Sequence, residues 1–358
     1  MFKVTIKPHW EISHGVGLTM DTAVLLALLS AVQETGSIAN AAKKVNISYR
    51  NAWGLLRDAE SLFGHPLLQT GRGRGSSLLP LAEKLIWADR RIAARLSPTL
   101  ETLASELEGE LGKTIVDRPP SIRLSASHGF AVAALLHQLN SMQVPVELRY
   151  RNSTDAVAAL SRRECDLAGF HVPLGEFEAA AVACYSHWLS NKKHCLIHLA
   201  VRNQGLIVAA GNPKNIVALS DLHRKDVLFV NRQTGSGTRM LLELMLTKAA
   251  LSPASIDGFE NAEFTHSAIA AYIASGMADV GFGVQTAADR FGLHFIPLIR
   301  ERYFFALPIS AMQDPLMQQV ITVLQSTAFR DTVNLLPGYD GSATGTILTL
   351  PEAFESLD

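Results

Sequence analysis

Behind Asp21, apolar residues recur at positions 24, 25, 28, 29 and 32, the alternating three- and four-residue spacing that lays a stripe along one face of a helix closing near Gly36. A short second helix is predicted over IANAAKKV, with Ser37 able to cap it and Ala39, Ala41 and Ala42 small enough to let a neighbour approach closely. After an Asn46-Ile47 turn, Ser48 can cap a third helix, YRNAWGLLRDAESLFG, whose Ala52, Leu55, Leu56, Ala59 and Leu62 face inward. Two helices joined by a turn of about four residues are a helix-turn-helix. Ahead of them KVTIKPHWEI, Lys3 to Ile12, alternates in character and predicts a strand, with a turn near His14-Gly15 and a second strand after it. Behind them, Leu67-Leu68 and Leu78-Leu79 flank a glycine-rich tip carrying Arg72 and Arg74, which reads as a wing.

From Leu81 to Leu111 the stripe continues through Leu85, Ile92, Leu96, Leu100, Leu103 and Leu107, a register suited to a partner helix. Ser97-Pro98 interrupts it, and because proline lacks a backbone donor a kink or two successive helices is expected there. Gly112 to Ser121 then reads as a linker. Beyond it the pattern changes to alternating strands and helices: IRLSA, FAVAALLHQL, VPVELRY, TDAVAALSRR and CDLAGF, later GLIVAA, DVLFV and ADVGFG. This is an α/β pattern. The expected organisation is a winged helix-turn-helix over residues 1–82, a linker and dimerisation helix over 83–121, and an α/β ligand-binding domain over 122–358.

Composition sharpens the reading. A chain of 358 residues with 48% hydrophobic and 18% charged residues supports more than one globular core and excludes a disordered or fibrous protein. The net charge of -1 argues against a DNA binder only until it is divided by position. Between Asn40 and Ser77 stand Lys43, Lys44, Arg50, Arg57, Arg72 and Arg74 against Asp58 and Glu60, the local basic balance of a phosphate-contacting module. Three cysteines, Cys165, Cys184 and Cys195, and no leader pattern point to a reducing cytoplasm, and no apolar run reaches the length of a membrane span. No nucleophile, base and orienting group occur in a familiar order, and there is no P-loop or dinucleotide fingerprint, so neither an enzyme nor a cofactor is expected.

The segment GSIANAAKKVNISYRNAWGLLRDAE followed by TGRGRGSSL resembles the DNA-binding domain of ModE-type molybdate-responsive regulators, and LysR-type regulators share the same broad module. Ser48, Tyr49, Arg50, Asn51 and Arg57 are the candidate contacts of a recognition helix to operator DNA, with Arg72 and Arg74 following phosphates or the minor groove. Two-fold operators make a homodimer or homotetramer the expected state.

The order strand, helix, strand, helix, DLAGFHV resembles periplasmic binding proteins and LysR-type effector domains. RNQGLIVAAGNP, FVNRQTGSGTRMLLE, HSAIAAYIASGMADVGFG and FIPLIRERYFFALP resemble, more narrowly, the binding-protein-like domain found with molybdopterin-biosynthesis proteins. The resemblance implies a type II fold of two lobes with crossovers near Leu199 to Gly205 and Leu298 to Tyr303, closing on a small anionic effector.

Candidate contacts are Ser127, His128, Ser153, Thr154, Ser236, Gly237, Thr238 and Arg239 at helix starts, with His266 and Tyr303 carried over from THSAIAA and RERYFF. Ser127 and Ser153 serve equally well as plain helix caps, and Arg239 can simply pair with a carboxylate. Cys184, His187, His194, Cys195 and His198 have zinc-like spacing, but the neighbouring Trp188 and Leu189 favour packing and no metal is expected.

The expected function is a ligand-responsive transcriptional regulator sensing an oxyanion such as molybdate or tungstate, or a small carboxylate such as formate. The alternative is a cytoplasmic enzyme or accessory protein of molybdenum-cofactor metabolism. ModE-type regulators sense through a different carboxy-terminal domain, which separates the front module from its usual signal.

Overall fold

The computed structural model describes residues 3–14, 18–71, 75–115 and 120–354. The chain falls into two compact units, Lys7–Leu96 and a larger one from Ser97 onward that includes the described residues before Lys7.

In the smaller unit β1 (Glu11–His14) pairs antiparallel with β2 (Leu18–Asp21). The strand expected from Lys3 is thus confined to its end, since Pro8 lacks the donor a ladder requires; the Gly15 turn lies outside the described residues. The Asp21 carboxylate accepts from Ala23 N at 2.8 Å to start α1 (Thr22–Thr35), and Gly36, at φ +64°, ends it. Leu25, Leu28, Leu29 and Val32 are buried as expected, but Leu26 joins them while Val24 is 44% exposed.

Ser37 and Ser48 cap α2 (Ile38–Lys44) and α3 (Tyr49–Phe63) by accepting from Asn40 N and Asn51 N. Buried Ala41, Ala42, Ala52 and Ala59 keep the facing helix surfaces small. The wing is β3 (Leu68–Gly71) and β4 (Gly75–Leu78), paired antiparallel; its tip, with Arg72 and Arg74, lies outside the described residues. Gly75 has φ +77°, and a Cβ there would sit 2.6 Å from the Gly36 carbonyl oxygen, which also accepts from Ser76 N at 2.8 Å. Only glycine lets the wing seat on the end of α1 in this way.

One helix, α4 (Pro80–Ile115), takes the place of two successive helices: Pro98 lies in its interior, and the chain passes from one unit to the other between Leu96 and Ser97. Intrahelical bonding on either side of Pro98 carries the helix past its missing donor. In the smaller unit Trp10 Nε1 donates to Asp89 of this helix at 3.0 Å.

The larger unit begins with β5 (Ile122–Ala126), α5 (Phe130–Ser141), β6 (Val146–Tyr150), α6 (Ser153–Ser161), β7 (Leu167–Pro173) and α7 (Glu178–Ala183). There follow β8 (His194–Val208), β9 (Phe229–Arg232), α8 (Gly237–Lys248), β10 (Ala262–Glu263), α9 (His266–Ala274), β11 (Val280–Val284), α10 (Gln285–Arg290) and β12 (His294–Pro308). The end is α11 (Pro315–Gln325), α12 (Thr327–Asn334), β13 (Tyr339–Asp340), β14 (Ile347–Leu348) and α13 (Leu350–Ala353).

The sheet runs β10-β9-β11-β8-β12-β7-β5-β6, with β13 and β14 also on β8. Parallel β5, β6 and β7 build the first lobe, and parallel β9, β10 and β11 the second. The two fifteen-residue strands β8 and β12 run antiparallel through both. β8 reaches β11 from Gln204 onward, and β12 reaches β7 from Glu301 onward, so both change lobes within the expected intervals. Leu124, Leu135, Ile197 and Phe305 centre one lobe's core, and Val208, Phe229, Leu242 and Phe282 the other's.

The second half of α4 lies along the free edge of β6. Ser105 Oγ accepts from Leu148 N at 2.9 Å and Thr102 Oγ1 from Tyr150 N at 3.2 Å, so side chains satisfy ladder donors that a sheet edge leaves open. The Tyr150 hydroxyl donates to the Glu101 carboxylate at 2.9 Å.

Candidate functional site

Two surfaces carry the candidate residues. On α3, Tyr49 is 54% exposed, its ring standing nearly perpendicular to that of Trp53 at 6.3 Å, and Arg50, Asn51 and Arg57 are exposed beside it. The Ser48 hydroxyl is engaged as the helix cap, which makes it a positioning group for this surface. A hollow of about 400 Å³ lies between the starts of α2 and α3 and the wing, lined by Ser37, Tyr49, Trp53, Thr70 and Ser76. An exposed amino-terminal turn with a flanking wing is the geometry by which a helix reaches base edges in a major groove.

The second site lies where the lobes meet β8 and β12. From the first lobe, His171 Nδ1 on β7 lies within hydrogen-bond distance of two hydroxyls, Ser153 Oγ at 3.2 Å and Ser127 Oγ at 3.4 Å. The cap of α6 is Asn152, and α5 has no side-chain cap, so these serines serve His171 and are not helix caps. From the second lobe, Gly237 at the start of α8 is so close that a Cβ there would lie 3.6 Å from Ser153 Oγ.

The crossing strands supply the charges. Arg202 Nε donates to Glu301 Oε1 at 2.5 Å, and Gln204 Nε2 donates to the same oxygen at 2.8 Å and to Thr238 Oγ1 at 3.2 Å. Tyr303 stands edge-on to His171, ring centroids 4.3 Å apart; a Cβ on Gly169 would meet its hydroxyl oxygen at 2.0 Å, so the glycine makes the room it occupies.

Arg232, at the end of β9, is 7% exposed; it donates through Nη2 to the Phe264 carbonyl at 2.8 Å, and its Nε has no partner among the described residues. Among the described residues, partners are also lacking for His171 Nε2, Gln204 Oε1, His266 Nδ1 and the Tyr303 hydroxyl. Five unpartnered polar atoms buried together mark a place built for something else to occupy, since each alone costs about 1–3 kcal/mol when left unpaired.

The electrostatics point the same way. Burial and the like charge of Arg202 push Arg232 down to about 9, with only Glu301 opposing them. Burial works against Arg202 too, but Glu301 and Tyr339 more than offset it and leave its charge secure. His171 and His266 are held well below the ordinary histidine value by burial and then by the two guanidinium groups. His128 is lowered chiefly by burial, with Glu101 opposing and Arg232 and Arg290 adding.

These placements bear on several of the expectations. For Arg239 the plainer of the two expected readings is the one seen: its guanidinium pairs with Glu243 at 2.9 Å and Glu260 at 3.2 Å over the Phe259 ring. The carboxylates offset its charge where it stands, and the uncompensated charge is seven residues earlier at Arg232. Ser236 caps α8 by accepting from Arg239 N at 3.2 Å, and Thr154 is half-buried at the second position of α6.

Arg202, Gln204, Arg232, His171 and Glu301 were missed. Their signal was charged and polar residues inside otherwise apolar strands, as in HLAVRNQGLIV. Ser153, His171 and Glu301 follow one another like a hydrolytic triad, but Glu301 lies 4.0 Å from Nε2 and is committed to Arg202 and Gln204. Strand alternation sends His194 and His198 to the opposite face of β8 from Cys195, and Cys184 Sγ packs on Met240 at 3.8 Å. Among the described residues no cluster of three or more His, Cys, Asp or Glu is arranged to hold a metal ion.

Residues 133–325 match the PBP superfamily domain, and residues 24–83 match the bacterial regulatory helix-turn-helix of the lysR family. The chain belongs to the PBP superfamily. It joins that domain to a lysR-family helix-turn-helix, and is therefore a ligand-responsive transcriptional regulator of the LysR type.

The regulator is 30% identical over 248 residues to the uncharacterized protein YvgK of Bacillus subtilis strain 168, covering 68% of this chain and 79% of that protein. It is 36% identical over 112 residues to the molybdenum transport protein ModE of Herbaspirillum seropedicae, 29% of this chain and 40% of that one. Among solved structures, an OxyR variant of Corynebacterium glutamicum bound to H2O2 aligns with a TM-score of 0.45 at 15% identity, covering 87% of this chain and 93% of that one. Among the described residues no helix is long and apolar enough to cross a membrane.

Proposed function

We propose that this LysR-type regulator senses a small anion held between its lobes by Arg232 and Arg202, with Ser127, His128, Ser153, Thr154, Gly237, Thr238, His266 and Tyr303 around it. The observation that carries the reading is Arg232, a buried guanidinium with an unpartnered Nε and a charge that its surroundings oppose. An anion would supply both the acceptor and the opposite charge. The match to a protein named for molybdenum transport makes molybdate and tungstate the first anions to test, with formate and other small carboxylates next.

In this reading the exposed start of α3 and the wing, including Arg72 and Arg74, contact double-stranded operator DNA. The α4 stripe, with Leu96, Leu103 and Leu107 between 39% and 47% exposed, joins two copies into a homodimer, which can assemble further into a homotetramer in the cytoplasm. Lobe closure on the anion changes the spacing of the two recognition helices.

Thermal unfolding and calorimetry of the full chain with a panel of oxyanions and carboxylates test the proposal. A ligand at a hundred times its Kd stabilises by about 2.7 kcal/mol, a shift of several degrees, and Arg232→Gln abolishes it. A panel in which no anion shifts unfolding, or a shift retained by Arg232→Gln, refutes the reading.

A further inference from the structure

We infer that the cleft accepts one unit of negative charge, so that a dianionic oxyanion enters only together with a proton. This rests on the anion reading above and specifies the charge of the ligand. Arg202 is neutralised by Glu301, both side chains 2% exposed. Arg232 has no such counterpart: its Nη2 bond goes to a neutral carbonyl, and the charges acting on it are Arg202, which opposes it, and Glu301, already engaged. Glu263 on β10 lies in register with Arg232 but is not among the charges that act on it. Among the described residues the cavity therefore offers a single uncompensated positive charge.

The unpartnered atoms say the same in hydrogens. Gln204 Oε1 can only accept, and its orientation is fixed because the amide nitrogen donates to Glu301 and Thr238. A fully deprotonated oxyanion has no hydrogen to give it. A ligand that brings a proton can supply one, and a neighbouring imidazole can take one up.

Three imidazoles are placed to do so: His171 on β7, His266 at the start of α9 and His128 before α5. Burial, and then the two guanidinium groups, hold the first two well below the ordinary histidine value; His128 is lowered chiefly by burial, with Glu101 of α4 opposing and Arg232 and Arg290 of α10 adding. Tyr303 on β12 and Tyr339 on β13 face the same charges from the remaining sides. A bound anion reverses the field at these rings and favours the imidazolium. The sign follows: the complex holds one more proton than the separated partners, so dianion affinity rises as pH falls.

The probes are molybdate and sulfate as dianions and nitrate and formate as monoanions, titrated into the full chain from pH 6 to 9 in two buffers of different ionisation enthalpy. The dianions are expected to bind with uptake of about one proton and an affinity gain approaching tenfold per pH unit, or not to bind while a monoanion does. Monoanions are expected to bind without proton uptake. Glu301→Gln, checked for folding by thermal unfolding, frees Arg202 and should let dianions bind without a proton.

A dianion that binds wild type with no proton uptake and constant affinity overturns the inference while leaving the anion reading intact. So does unchanged proton uptake in Glu301→Gln. Failure of all four probes and of the wider anion panel overturns both.

Discussion

Replacing Arg232 by Met should make the empty regulator more stable while abolishing its response to the effector. Burial, and then the like charge of Arg202, lowers the guanidinium to about 9, well below its ordinary value, a handicap to the charged form on the order of 5 kcal/mol. Because the folded-state value is lowered for a base, the handicap is present in full below pH 9 and disappears only as pH rises past the unfolded value. It is therefore undiminished at neutral pH.

Met has a similar stem and no charge, so the substitution removes the handicap at the cost of the Phe264 carbonyl's donor. The net gain is about 1–3 kcal/mol, which for a unit of this size raises Tm by roughly 3–10 °C. Differential scanning calorimetry of the anion-free proteins measures it. An Arg232→Met variant that unfolds below wild type would show that Arg232 is compensated in the empty cleft, and the electrostatic reasoning would fail.

Gly75→Ala places a Cβ against the Gly36 carbonyl at a positive φ, so the wing should shift; the strain is about 2 kcal/mol or more. Fluorescence anisotropy on an operator fragment should register weaker DNA binding with effector affinity unchanged. Arg239→Ala removes pairs with Glu243 and Glu260, one of them highly exposed, and should lower stability by about 1 kcal/mol while calorimetry shows effector affinity preserved. The double change Leu103→Glu and Leu107→Glu should yield a monomer in sedimentation, because it puts like charges along the exposed stripe of α4.

The helix-turn-helix was legible because each of its signals is local: a serine or aspartate cap, a 3.6-residue stripe, a glycine at the end. Even there Val24 and Leu26 exchanged faces, a rotation of the helix that only its neighbours decide. The α/β pattern showed which segments are strands but not that GLIVAA is the second half of one fifteen-residue strand beginning at His194.

The cleft was half legible. Ser127, Ser153, Thr238, His266 and Tyr303 are brought together, whereas Arg239 was preferred to Arg232 within the same NRQTGSGTR segment. Sequence shows both arginines and neither partner. The decision depended on Glu260, twenty-one residues beyond Arg239, lying close enough to take its charge.

The position of the uncompensated charge also bears on how the site could act at a distance. Arg202, Gln204, Glu301 and Tyr303 project from β8 and β12, the two strands that belong to both lobes, and Arg232 and His171 approach from opposite sides. An anion at that point interacts with groups whose separation is the lobe separation, which is the differential interaction between open and closed states that any ligand-driven switch requires. An anion bound wholly by one lobe would hold tightly and move nothing. On the first lobe, the His128 ring lies 5.1 Å from that of Tyr150, whose hydroxyl and backbone N–H are bonded to Glu101 and Thr102 of α4. The cation cluster that acts on His128 is thus two contacts from the helix that continues toward the DNA-binding unit, and polar bonds at the edge of β6, not apolar packing, are what a shift of Tyr150 would have to break.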